Sequence, residues 1–264
     1  MTTRRDVVGG YAFGDSAGAA RRLDLLADLF APTTRALLER FAGRPLDLAV
    51  DLGCGTGHTT RLLASVLGPR RALGLDQSAS FVALAAAGAP PGVAFAVHDV
   101  TAVPFPAGPA DLCFCRLLLS HLPDPPATLA AWATQLAPGG LLLVDEVERI
   151  RTADPALRGY LDTAAALLAS RGQTLEVGPV LHRSPDPPGL ARGHDRLATL
   201  APAAARAAAM FAQNLSIWGP KAVQDGVVDE REVGELVEDL EVVAAGGRAA
   251  TITWELRQLA YRRL

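Results

Sequence analysis

Apolar positions recur along the chain at two periods, and the switch between them marks an alternation of elements. Leu23, Leu25, Leu26, Leu29 and Phe30 recur at helical spacing within residues 17–30, with Asp15 or Ser16 as the candidate cap. Pro32 then introduces a second helix over 33–41, stopped by Gly43. The apolar run Leu46 to Leu52 ends in Gly53-Cys54-Gly55-Thr56-Gly57, and 59–67 returns to helical register. Strand, glycine turn and helix open a βαβ unit. The pattern repeats with predicted strands at 71–75, 93–97, 111–115 and 141–147 and predicted helices at 81–87 and 126–136. Apolar strands alternating with helices predict a parallel sheet covered on both faces.

Past residue 150 the periodicity is weaker. Residues 157–169, 203–218 and 229–243 read as helices, the last with Asp229 and Glu232 spaced as a capping box. The proline- and glycine-rich stretch 178–193 reads as a loop. Ile252, Trp254 and Leu256 alternate with Thr251, Thr253 and Glu255, which predicts a final antiparallel strand at the sheet edge.

The composition fits a folded α/β chain: 264 residues, 50% hydrophobic and 20% charged. A net charge of −3 supplies no basic field for a phosphate backbone, so nucleic acid is not an expected partner. No apolar run approaches the roughly 20 residues that cross a bilayer. Arg4-Arg5 is followed by no apolar h-region, so a cytoplasmic location is expected. Cys54, Cys113 and Cys115 are too few and too close for a disulfide framework. They also lack the paired spacing of a zinc site, and no metal is expected. Lys221 is the single lysine among 25 basic residues, a bias read as codon usage.

The candidate chemistry gathers at strand ends. The glycines of 53–57 let a ligand approach the backbone closely. Gly-x-Gly-x-Gly departs from the nicotinamide fingerprint, whose last glycine falls on His58, and no P-loop Lys-Ser/Thr follows. Asp51, just before the turn, would repel a pyrophosphate and suits an ammonium group. Asp76 lies 19 residues past Gly57, where a carboxylate accepts from ribose hydroxyls. His98-Asp99-Val100 ends the third strand, and an Asp there can accept from an adenine amino group. Three acids at successive strand ends line the edge where open α/β sheets bind ligands.

With these residues in hand, the chain resembles the class I S-adenosylmethionine-dependent methyltransferases of small-molecule type. The resemblance rests on Val50 to Gly57, Leu75-Asp76-Gln77-Ser78, His98-Asp99-Val100, Cys115 to Leu122 with Pro123-Asp124-Pro125, and Leu136-Ala137-Pro138-Gly139-Gly140. It implies a Rossmann-like, seven-stranded, mostly parallel sheet with an antiparallel last strand, an N-terminal helical cover and a helical lid. The expected organisation is one domain, 1–264: cover 1–45, cofactor core 46–150, substrate-side lid 151–220, and C-terminal helix and strand 221–264. The implied cofactor is S-adenosyl-L-methionine. Gly53, Gly55 and Gly57 would face its methionine part and Asp51 its amino group. Asp76 would take the ribose, Gln77 and Ser78 would flank the adenine, and His98, Asp99 and Val100 would hold the adenine edge. Arg116 would offer its carbonyl near the ammonium. Tyr11 and Arg22, Arg22 rather than Arg21, would bind the carboxylate.

Catalysis leaves fewer marks. In-line alignment near a sulfonium methyl can supply most of the acceleration. His121, just past the fourth strand, is the candidate general base, with a loop-holding role as its alternative. His182 and His194 sit in the irregular region where substrate contacts often arise. Met210, Phe211, Asn214 and Trp218 share a helix face that could cap the pocket, although burial alone produces such a stripe. The expected activity is methyl transfer to a small organic acceptor, in secondary metabolism. A cofactor-binding protein without transfer and a nicotinamide oxidoreductase are the alternatives, and a homodimer stays open.

Overall fold

The computed structural model describes residues 17–264. Helix α1 (Ala17–Glu39) precedes β1 (Leu48–Leu52), α2 (His58–Leu67), β2 (Arg71–Asp76), α3 (Ala79–Ala86) and β3 (Val93–Val97). Next come β4 (Ala110–Arg116), a 3-10 turn at Leu119–His121, α4 (Pro125–Ala133) and β5 (Leu136–Thr152). The chain continues through α5 (Pro155–Ala169), α6 (Gly178–Arg183), β6 (Leu190–Leu200), α7 (Ala204–Gln224), α8 (Glu230–Ala244) and β7 (Ile252–Arg263). Tyr11 and the candidate caps Asp15 and Ser16 lie outside the described residues.

The described strands form one sheet in the order β3-β2-β1-β4-β5-β7-β6. β1 to β5 run parallel, and β7 pairs antiparallel with both β5 and β6. All five residues of β1 are buried, as expected of a strand covered on both faces. Because β1 lies between β2 and β4, the winding reverses there. That reversal opens a crevice at the strands' carboxyl ends.

Three expectations are corrected. α1 runs unbroken through Pro32. Leu29, Phe30, Leu37 and Leu38 are buried on both sides of the proline, and the Thr33 hydroxyl donates to the Phe30 carbonyl at 2.9 Å. Packing of one apolar stripe overrides the proline's missing N–H. Residues 178–193 are not all loop, since they contain α6 and the start of β6. β7 is interior, with β6 on the edge beyond it. Trp254, Leu256, Leu259 and Tyr261 are accordingly buried.

Candidate active site

The glycine turn is tied to the next strand by its own backbone. Gly53 and Cys54 N–H both donate to the Leu75 carbonyl, at 2.8 and 3.0 Å. Gly53 (φ +69°) and Gly55 (φ +52°) adopt left-handed conformations that a side chain would strain. Gly55 N–H donates to one carboxylate oxygen of Asp76 and Ser78 N–H to the other, each at 2.9 Å. The Ser78 hydroxyl in turn accepts from Phe81 N–H and caps α3.

Over these tips opens a cavity of about 1560 Å³. One end is lined by Gly53, Gly55, Asp76, Gln77, Ser78, Asp99, Val100, Arg116 and Arg22. The other is walled by Phe30, Tyr160, Met210, Phe211, Asn214, Trp218 and Trp254. A pocket for one drug-sized ligand measures roughly 300–1,000 Å³, so this volume has room for two molecules side by side.

Five sequence-predicted residues stand elsewhere. Asp51 lies behind the turn, its carboxylate accepting from the Thr59 and Thr60 hydroxyls at 2.6 Å each. Burial pushes its pKa up to about 6 against the pull of those hydroxyls. Gly57 caps α2, and a Cβ there would meet the Phe95 ring at 2.7 Å. His98 turns its Nε2 to the Ala102 carbonyl at 2.9 Å and its ring edge-on to Phe105. His182 is corrected most clearly. It pairs with Asp195 at 2.8 Å on the surface, where Arg192 and Arg257 share the same carboxylate, and it is not on the cavity wall. This ion-pair network holds Asp195 down at about 2 against its burial. His194, on β6, packs edge-on against Phe41.

His121 lies on the cavity wall, half-buried, with its Nδ1 shielded from solvent. Burial, reinforced by the Arg22 and Arg171 charges, lowers its pKa to about 3, so its imidazole is neutral at ordinary pH. Its carbonyl accepts from Gln173 Nε2 at 2.5 Å. The segment before it is strained, for Leu117 has φ +52°. Glu146, at the end of the parallel part of β5, holds that segment by accepting from Leu118 and Leu119 N–H on one oxygen, each at 2.8 Å. Complete burial raises Glu146 to about 8, with the two N–H groups opposing. Arg116 is half-buried near Asp145, and its Nη1 donates to Thr34 Oγ1 at 3.2 Å. Thr34 donates to Asp145 in turn, at 2.9 Å.

Arg171 and Lys221 also line the cavity, both bound to Asp225 at 3.1 and 2.5 Å. Tyr160, Gln173, Trp254 and Glu146 were not among the sequence candidates. They lie far apart along the chain and carry no motif, so nothing local announces them.

Among the described residues no His, Cys, Asp or Glu cluster could hold a metal, and the three cysteines are free and buried. The cavity's first end fits S-adenosylmethionine. A glycine backbone opens a close approach, Asp76 stands at the β2 tip, and the buried cation Arg22 shares the same lining.

The sheet order and strand-tip site are those of a Rossmann-like fold, and residues 50–144 match the family model described as a methyltransferase domain. The chain is similar to trans-aconitate 2-methyltransferase of Deinococcus radiodurans, 41% identical over 101 residues that cover 38% of each protein. The same enzyme of Methylobacterium radiotolerans is 37% identical over 136 residues, 50% of this chain and 51% of that one. The chain thus spans about half or less of these curated relatives. Among solved structures, the [4+2]-cyclase SpnF superposes with TM-score 0.53 at 19% identity, over 88% of this chain and 81% of that one. A Haemonchus contortus phosphoethanolamine N-methyltransferase with S-adenosylhomocysteine bound gives 0.53 at 17%, over 92% and 57%. At such identities these two speak for the fold alone.

Proposed function

We propose that the chain transfers the methyl group of S-adenosylmethionine to a small organic acceptor, leaving S-adenosylhomocysteine. The observation that carries this reading is the single cavity joining a glycine turn and strand-tip acids to an aromatic chamber. Asp76 takes the ribose hydroxyls, Asp99 and Val100 the adenine edge, and Arg22 the carboxylate, with Gly53 and Gly55 beside the methionine chain. The bound cofactor supplies an electrophilic methyl. The chain's residues supply alignment and a dry chamber, which suit a reaction driven by proximity. His121, neutral and half-buried, borders the chamber without the basicity of an ordinary histidine.

Trans-aconitate, named for the relatives, is a tricarboxylic acid. The family match ends at residue 144, before α5, α7 and β7, whose side chains wall the chamber. The acceptor therefore does not carry over with the match, and a specialised acceptor suits secondary metabolism. Free, buried cysteines fit the reducing cytoplasm. The test is calorimetry with S-adenosylhomocysteine and NAD, followed by detection of S-adenosylhomocysteine formed from S-adenosylmethionine with candidate acceptors. Micromolar binding of the first ligand without the second supports the reading. Binding of NAD alone overturns it.

A further inference from the structure

The chamber's wall is largely aromatic, and two amide oxygens of cavity-lining residues, Asn214 Oδ1 and Gln173 Oε1, are buried without a hydrogen-bond partner among the described residues. Phe30, Tyr160, Met210, Phe211, Trp218 and Trp254 are all buried and line it. Tyr160 and Phe211 stack at 3.9 Å with 13° between their planes, and Trp218 and Trp254 stand tilted or edge-on to that pair. Such an arrangement offers ring faces and edges to a flat guest. Asn214 is 4% exposed, and its Nδ2 donates to the Tyr160 hydroxyl at 2.7 Å. Asn214 lines the same cavity, and its Oδ1 is buried there without a hydrogen-bond partner among the described residues. A buried acceptor left unsatisfied destabilises the protein unless a ligand completes it.

The charges argue in the same direction. Arg171 and Lys221 both bind Asp225, so the three leave one net positive charge. That is too little for a trianion stripped of water.

We propose that the acceptor is an uncharged, flat, mostly apolar ring compound whose single O–H or N–H group donates to Asn214 Oδ1. This rests on the methyltransferase reading and names the substrate class of the same site.

The test is isothermal titration of protein saturated with S-adenosylhomocysteine, using 2-naphthol, 2-methoxynaphthalene and tricarballylate as probes. The expected order is 2-naphthol roughly tenfold tighter than its donor-free methyl ether, with tricarballylate giving no measurable heat. In Asn214→Leu, the two aromatic probes should fall within about twofold of each other while S-adenosylhomocysteine binds as before. If that variant does not fold, Asn214→Ala provides the same comparison. Tighter binding of tricarballylate, failure of both aromatics to bind, or a naphthol preference that survives loss of Asn214 overturns the proposal. Absence of S-adenosylhomocysteine binding sinks the transferase reading instead, and the same titrations on the protein alone then decide the chamber's preference.

Discussion

At the tip of β2, Asp76 accepts N–H groups from Gly55 and Ser78, so one carboxylate both shapes the turn and faces the cavity. Asp76→Ala should therefore weaken S-adenosylhomocysteine binding by about 1.5–3 kcal/mol per charged hydrogen bond lost, as read by calorimetry. His121 and Glu146 illustrate how burial acts with opposite sign on a base and an acid. The folded value of His121 is about 3, below the ordinary 6.5. The unfolded chain takes up this proton first, so stability falls as pH drops from 6.5 towards 3, by up to about 1.4 kcal/mol per pH unit. His121→Asn should flatten that acid slope in urea unfolding. It should also lower turnover by less than about tenfold and leave the rate–pH profile unchanged between pH 5 and 8. A loss above a hundredfold with cofactor affinity intact would make His121 the base after all. For Glu146 the folded value is about 8 against 4.5. The folded chain keeps its proton through that window, so stability falls as pH rises from 4.5 to 8.

Among the elements, the loop after β4 depends on β5 more than on its own sequence. Glu146→Gln keeps an acceptor for Leu118 and Leu119 N–H, and should bind cofactor normally while losing the slope between pH 4.5 and 8. Glu146→Leu removes the acceptor from two N–H groups and should destabilise by about 1–3 kcal/mol for each left unsatisfied, measured by urea unfolding. Helix α1 offers a gain. Pro32→Ala restores an N–H that can reach the Asp28 carbonyl, and should stabilise by about 1–3 kcal/mol, visible as a higher Tm. These same elements mark the limit of sequence reading. β1 to β5 and their helices were legible because each βαβ unit carries its periodicity and turn within some thirty residues. The unbroken α1 was not, since local chemistry at Pro32 points to a stop and only tertiary burial of Phe30 and Leu37 opposes it. The edge position expected of β7 failed for a related reason. Alternation identifies a strand, but its neighbours depend on β6 (Leu190–Leu200), which begins inside a proline-rich stretch.

For the whole molecule, the two ends of the cavity differ in kind. The strand-tip end comes from consecutive turns, and of the ordered set of glycines and acids legible in the sequence Gly53, Gly55, Asp76 and Asp99 stand on its lining while Asp51 and Gly57 do not. The chamber joins Phe30 from α1, Tyr160 from α5, Phe211 from α7 and Trp254 from β7. No window of sequence contains that set, so only the helix-face stripe of α7 hinted at it. Ligand binding should register globally. At a hundred times its Kd, S-adenosylhomocysteine adds about 2.7 kcal/mol of stability. That should raise Tm by about 5–10 °C in a chain of this size, with no shift from NAD.

Lys221 stands at the chamber wall with its side chain half exposed, and it is the chain's single lysine. All three thiols are buried, with pKa values raised by burial, so maleimide-type reagents find no ready target in the folded protein. Once the α-amino group is blocked near neutral pH, where it is the more reactive amine, an amine-reactive dye has one address left. That address borders the acceptor's proposed place. A fluorophore carried there would report, from a single defined position, when the chamber fills and when it empties.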